Sequence, residues 1–320
     1  MTATATHRAP GAGPHPAIGT ADIPVADTPP RHATHPSRRP DLAGVHALVT
    51  GGGRGLGRAV GRAFADAGAH VGLLARSGDE LAESVARIEA TGGVAASASA
   101  DVRDPDALGA AIARLRRDLG PVDVLVNGAG IVGPIGPLWE VDAREWWATM
   151  EVNLAGLVHC TQLVLPEMVA RRRGRILNIS SQAGVRRWPL VSAYSVSKAA
   201  VTKLTENLAH EVDRFGISVL SVHPGLLPLG MGIAPERTDA APTSPHEERI
   251  WSWVDRELAD GRGADPADAV DLIVRLAAGE ADALTGRHIC VHDDLDALLA
   301  GLDEVRQRDL HVLKVDRLRT

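Results

Sequence analysis

The chain holds one tyrosine, Tyr194, and one of its three lysines, Lys198, stands four residues later. Residues four apart on a helix are neighbours on one face. A phenol of reference pKa about 10 beside a fixed ammonium is biased towards phenolate and can exchange a proton near neutral pH. A second stretch, Thr50-Gly51-Gly52-Gly53-Arg54-Gly55-Leu56-Gly57, lies between an apolar run and a helical pattern. Strand, glycine turn and helix in that order form a cradle for a pyrophosphate. The glycines let backbone approach the ligand closely, and the helix N-terminus offers unpaired N–H groups.

Around these motifs the chain alternates between strand and helix patterns. Strands are expected at 45–50, 69–75, 94–100, 122–126, 174–179, 216–222 and 286–292. Helices are expected at 55–67, 78–90, 105–119, 142–171, 194–214 and 267–279. Such alternation predicts a single α/β domain: a Rossmann-type, doubly wound parallel sheet of about seven strands. Ligands of such sheets bind beyond the carboxyl ends of the strands, where both motifs fall.

Together the motifs resemble the short-chain dehydrogenase/reductase family in its single-domain branch, over roughly residues 42–293. Besides the glycine loop and Tyr194-x-x-x-Lys198, the family's adenine-contacting acid is matched by Asp101-Val102. Asn127-Gly128-Ala129-Gly130 matches its Asn-Asn-Ala-Gly element, with one asparagine replaced by glycine. Asn153, Ser181 thirteen residues before Tyr194, and Pro224-Gly225 complete the series.

The resemblance implies hydride transfer between a nicotinamide and a small carbonyl or alcohol. Tyr194 would be the acid in reduction and the base in oxidation. Ser181 would hold the substrate oxygen, Lys198 would bind the nicotinamide ribose and depress the tyrosine pKa, and Asn153 would hold a water that relays protons. The backbone of Leu227 would bind the carboxamide. Leu229 stands where the family commonly has a threonine, so one cofactor hydrogen bond is lost.

NAD-preferring relatives end their second strand in an acid that binds the ribose 2′-hydroxyl. Here that strand ends Leu73-Leu74-Ala75-Arg76-Ser77. NADP(H) is therefore expected over NAD(H), with Arg76 and Ser77 at the 2′-phosphate and Arg54 approaching from the glycine loop. The leading reading is a ketone or aldehyde reductase. An NAD-linked alcohol dehydrogenase, a nucleotide-binding regulator, and a non-redox isomerase or dehydratase are its competitors.

Composition bounds the rest. The 320 residues carry a net charge of −6, which gives nucleic acid and anionic membranes no purchase. The basic run Arg171-Arg172-Arg173-Gly174-Arg175 reads as the end of a helix. No apolar stretch is expected to span a bilayer. Cys160 and Cys290 lie among apolar residues, as inert thiols in a reducing, cytoplasmic compartment, and no metal-ligand spacing is present. Residues 1–40 hold eight of the twenty prolines and are expected to be a disordered extension.

Residues 226–265, broken by Pro228, Pro235, Pro242 and Pro245 and followed by Trp251 and Trp253, read equally as a substrate lid or as an irregular surface loop. Ile131, Val132, Ile135, Leu138 and Trp188 suggest apolar substrate walls. Arg186 and Arg187 could meet an acidic group or solvent. A C-terminal extension, 294–320, carries an amphipathic helix near 294–308 that covers either a neighbouring subunit or its own sheet edge. The long helices 142–171 and 194–214 carry more apolar positions than one buried face needs. Family members pair these helices, so a homodimer or homotetramer is expected.

Overall fold

The chain was analysed as a computed structural model, which describes residues 40–232 and 244–315. The N-terminal extension up to residue 39 lies outside the described residues, as do Pro235 and Pro242. Seven parallel strands form one sheet in the order β3-β2-β1-β4-β5-β6-β7. They are β1 His46–Thr50, β2 His70–Ala75, β3 Val94–Ser99, β4 Val124–Asn127, β5 Gly174–Ile179, β6 Ile217–His223 and β7 His288–Cys290.

Between them run α1 Gly55–Asp66, α2 Gly78–Glu89, α3 Pro105–Leu119, α4 Ala143–Met150, α5 Gly156–Arg171, α6 Ser192–Val212, α7 Pro245–Ala259 and α8 Pro266–Ala278. The helix starts are written into the sequence. Asp104, Asp142 and Asp265 each accept first-turn N–H groups, as do Ser77 and Ser244, which satisfies donors the helix itself leaves unpaired.

The sheet is buried on both faces. Within β1, Ala47 and Val49 face a core built with Val60 and Phe64 of α1 and Ile273 of α8. Leu48, between them, faces Leu108, Cys160 and Val164 on α3 and α5. This alternation follows from the two-residue period of a strand. Strand order reverses between β1 and β4, and a crevice opens there at the carboxyl ends.

Three expectations are corrected. Helix 142–171 is continuous but carries a π-helical turn at Glu151–Ala155. Its span Ala143–Arg171 is long and apolar enough, by length and composition, to cross a membrane, contrary to the sequence reading. One side of it packs on the fold, with Leu157, Cys160, Val164 and Met168 buried against the sheet and α3. The proline-rich segment 226–265 is not wholly irregular. Pro245 starts α7, because a helix's first residue needs no N–H donor.

The helix expected near 294–308 is two short ones, α9 Leu295–Ala300 and α10 Leu302–Gln307, broken at Gly301. They settle the choice left open above, since this segment covers the chain's own sheet. Leu295 and Val305 are buried in the core. Beyond α10, the His288 amide of β7 donates to the His311 carbonyl at 2.8 Å. The basic run is consumed internally: Arg171 and Arg173 each meet Asp123 at 2.7 Å, and Arg175 meets Asp282 at 2.7 Å.

Candidate active site

A cavity of about 750 Å³ runs along the crevice from the β1–α1 turn to the face of α7, within the size range of ligand sites. At one end lies the glycine loop. A Cβ on Gly57 would stand 2.2 Å from the Gly51 carbonyl oxygen, and Gly51 itself has φ +74 beside the Ala129 backbone. Only glycine fits either place. No side chain caps the start of α1, so its first N–H groups stay available to an anion. This uncapped helix start behind a glycine cradle fits a dinucleotide pyrophosphate.

Gly51, Gly53, Arg54, Gly55, Leu56 and Gly57 all line the cavity, as do Arg76, Ser77, Asp101 and Val102. So do Ala129, Gly130, Pro224, Gly225 and Leu227. Leu229 lines it too, with an apolar side chain packed beside Leu227.

The two arginines expected near a 2′-phosphate differ. Arg54 faces Glu80, 3.7 Å away. Arg76 is exposed, and its guanidinium has no hydrogen bond or ion pair among the described residues. Ser77 spends its hydroxyl on capping α2, accepting from the Glu80 amide at 3.3 Å. Asp101 is gripped by Arg103, with Nη2 at 2.7 Å from Oδ2, and this hydrogen bond holds its carboxyl below the usual range.

At the other end stand Ser181, Tyr194 and Lys198. β5 delivers Ser181 just past its last residue, and the first turns of α6 carry the other two. All three line the cavity, and the Ser181 hydroxyl lies near enough to Tyr194 to favour its phenolate. Lys198 Nζ donates to the Ile179 carbonyl at 2.8 Å and lies 5.6 Å from the centre of the tyrosine ring.

Burial sets the protonation of this pair. It pushes the Tyr194 phenol above its ordinary value, against the opposing effect of the Ser181 hydroxyl. It pushes Lys198 down to about 8. The depressed tyrosine expected from the lysine charge is therefore not what this environment produces: loss of water around the phenol dominates, opposed only in part by the Ser181 hydroxyl.

Two expected site residues stand behind the wall. Asn153, in the π turn, is 1% exposed. Its amide donates to the Ile131 carbonyl at 2.9 Å and to Ser197 Oγ at 3.0 Å, and accepts from the Ile131 amide at 2.8 Å. Both amide protons are spent on protein, so the side chain fixes the Ile131 loop to α6. Asn127 points under the sheet, donating to Asn178 Oδ1 at 2.9 Å and Thr161 Oγ1 at 3.2 Å. It ties β4 to β5 and does not line the cavity.

Several lining residues escaped the sequence reading. Glu80 was marked by a readable signal, since Ser77-x-x-Glu80 is a capping-box spacing. His223, directly before Pro224-Gly225, lines the cavity and is pushed down to about 3 by burial; it is a neutral imidazole at working pH. Glu257, 5% exposed, pairs with Arg262 at 2.7 Å, and both line the cavity. This last pair comes from α7 and the turn after it, and no spacing rule announced it.

Comparison with known proteins agrees with this geometry. A family model described as short chain dehydrogenase matches residues 45–237. A short chain dehydrogenase of Pseudocercospora fijiensis is 34% identical, over 81% of this chain and 83% of the relative. Gluconate 5-dehydrogenase of Gluconobacter oxydans is 31% identical, over 78% and 94%. Among solved structures, a tryptophan variant of actinorhodin polyketide ketoreductase with NADPH superposes with a TM-score of 0.69 at 30% identity, covering 77% of this chain and 95% of that one. NAD+-bound xylitol dehydrogenase gives 0.69 at 25% identity, over 78% and 98%. The chain belongs to the short-chain dehydrogenase/reductase family and is an NAD(P)-dependent oxidoreductase.

Proposed function

We propose that the protein is an NADP(H)-dependent reductase of ketones or aldehydes. The observation that carries this reading is that Ser181, Tyr194 and buried Lys198 line one end of a cavity whose other end is the glycine cradle. The N–H groups of the glycine loop and the start of α1 would hold the pyrophosphate. Asp101 and Val102 would flank the adenine, and the Leu227 backbone would meet the carboxamide. Arg76 would take the 2′-phosphate, with Ala75 placing no carboxylate at the end of β2 and Arg54 facing the carboxylate of Glu80. Lys198 would bind the nicotinamide ribose hydroxyls.

When bound, the reduced nicotinamide supplies a hydride to the carbonyl carbon. Ser181 donates a hydrogen bond to the carbonyl oxygen and places it at the tyrosine. Tyr194, protonated because burial raises its pKa, gives its phenolic proton to that oxygen, and the alcohol results. In the reverse direction the phenolate accepts the proton. Asn153 acts as a positioning residue, holding Ile131 and Ser197.

Two of the compared structures contain NADPH and NAD+ respectively, so the exposed Arg76 is the feature that favours NADP(H) here. Trp147 and Val196, apolar and exposed on α4 and α6, favour pairing of two subunits through these helices. Because the chain's own tail occupies the outer edge of β7, a dimer is favoured over assembly through that edge. The buried free thiols Cys160 and Cys290 suit a reducing cytoplasm.

Tyr194→Phe removes only the hydroxyl. It should lower NADPH oxidation with a ketone by at least about a hundredfold while leaving NADPH affinity within a few-fold. Turnover near that of the unmodified protein would refute the assignment.

A further inference from the structure

The wall above the reacting residues is built from aromatic rings. Trp188 stands edge-on to Tyr194, with ring centroids 6.3 Å apart and an interplanar angle of 80°. Trp253 of α7 packs against Trp188 at 5.4 Å and 63°. Trp251 joins the same cluster, which is backed by Ile135, Val191 and Ile250. All three tryptophans line the cavity. The chain has nine aromatic side chains, so four of them, Tyr194 included, gather at this one wall.

A second observation concerns Trp188 itself. Its indole N–H is buried and finds no acceptor among the described residues. A finished core pairs such a donor. The nitrogen is sealed by its neighbours, so an occupant of the cavity meets the ring's exposed face and edge and not its N–H. An aliphatic chain would gain nothing from the quadrupoles of the rings.

We propose that the substrate is a planar aromatic ketone whose ring, fused to the carbonyl-bearing ring, lies against Trp188 and Trp253. The proposal rests on the reductase reading and adds the substrate class to it. Distance supports it. Trp188 lies 6.3 Å from Tyr194, centroid to centroid, so a ring system whose carbonyl meets the tyrosine hydroxyl is a neighbour of this wall, where aromatic pairs attract at roughly 4.5–7 Å.

The test uses two ketones of the same carbon skeleton, 2-tetralone and trans-2-decalone, which differ in whether the distal ring is aromatic. With NADPH, the unmodified protein should favour 2-tetralone by about tenfold in kcat/KM, as two ring contacts suggest. Trp253→Leu should bring that ratio near one, and Trp253→Phe should restore most of it. A ratio near one in the unmodified protein, or a ratio untouched by Trp253→Leu, overturns the aromatic wall and leaves the reductase standing. If neither ketone is reduced, the reductase reading fails. Quenching of tryptophan fluorescence by 2-naphthol in the presence of NADP+ then decides the wall by itself. Saturable binding weakened about tenfold in Trp253→Leu supports it, and no saturable binding overturns it.

Discussion

Lys198 is an ammonium with almost no water around it, 4% exposed. Burial drops its pKa from the ordinary 10.5 to about 8. A lowered lysine pKa means the charge is complete below about pH 8 and lost as pH rises through it. Tyr194 moves the opposite way and stays protonated over the same range. Reduction needs both protons, one to transfer and one to hold ribose hydroxyls. The value of kcat/KM for NADPH reports ionisations of the free enzyme, so it should be level between pH 6 and about 7.5 and fall tenfold per unit well above 8. A profile level to pH 9.5 would show that Lys198 keeps its proton. The sequence displayed the identity and spacing of this pair. It did not display the sign of the tyrosine shift, because desolvation depends on what Gly130, Ile179 and α6 bring around the site. Asn153 shows the same limit. Its position was legible from a motif, but the direction of its side chain follows from the π turn and from the Ile131 loop that crosses it.

At the scale of elements, strands were easiest to read where burial on both faces made continuous apolar runs, as in β1 and β6. Helix starts were legible through Asp104, Ser77 and the glycine loop. The segment before α8 was not, because prolines there both interrupt the chain and open a helix, and Pro245 does the second. The C-terminal strap, α9 and α10, likewise left two partners open, since an amphipathic face does not say whose core it covers. Here it covers its own: Leu295 and Val305 are each 3% exposed, and Arg287 of the β7 approach holds Asp309 at 2.5 Å. Ending the chain after Asp293 should therefore uncover the β7 edge and two buried side chains. Burying each is worth about 1.5–3 kcal/mol, which corresponds to a fall in Tm on the order of 10 °C for a domain of this size. Light scattering should show association through the bared edge. A Tm within about 2 °C of the full chain would mean the strap adds nothing to the fold.

Across the whole molecule, one crevice joins two halves of a chemistry. The β1–β4 reversal places the glycine loop at one end and Ser181, Tyr194 and Lys198 at the other, and α7 lines the cavity beside them with tryptophans. The fold class was legible because every motif fell at a strand's carboxyl end, in order along the chain. Cofactor choice is subtler, resting on Ala75, Arg76 and their surroundings. Glu80 faces Arg54 at 3.7 Å, whereas Arg76 makes no hydrogen bond or ion pair through its guanidinium among the described residues and feels only the charge of Asp101. A charge-assisted contact to a 2′-phosphate is worth about 1.5–3 kcal/mol, or roughly ten- to a hundredfold in selectivity. The direct measurement is initial-rate reduction of one ketone with NADPH and with NADH, compared as kcat/KM for the nucleotide at pH 7. The account predicts that NADPH exceeds NADH by at least about tenfold and that Ala75→Asp with Arg76→Leu reverses the order. A higher value with NADH in the unmodified protein would contradict it.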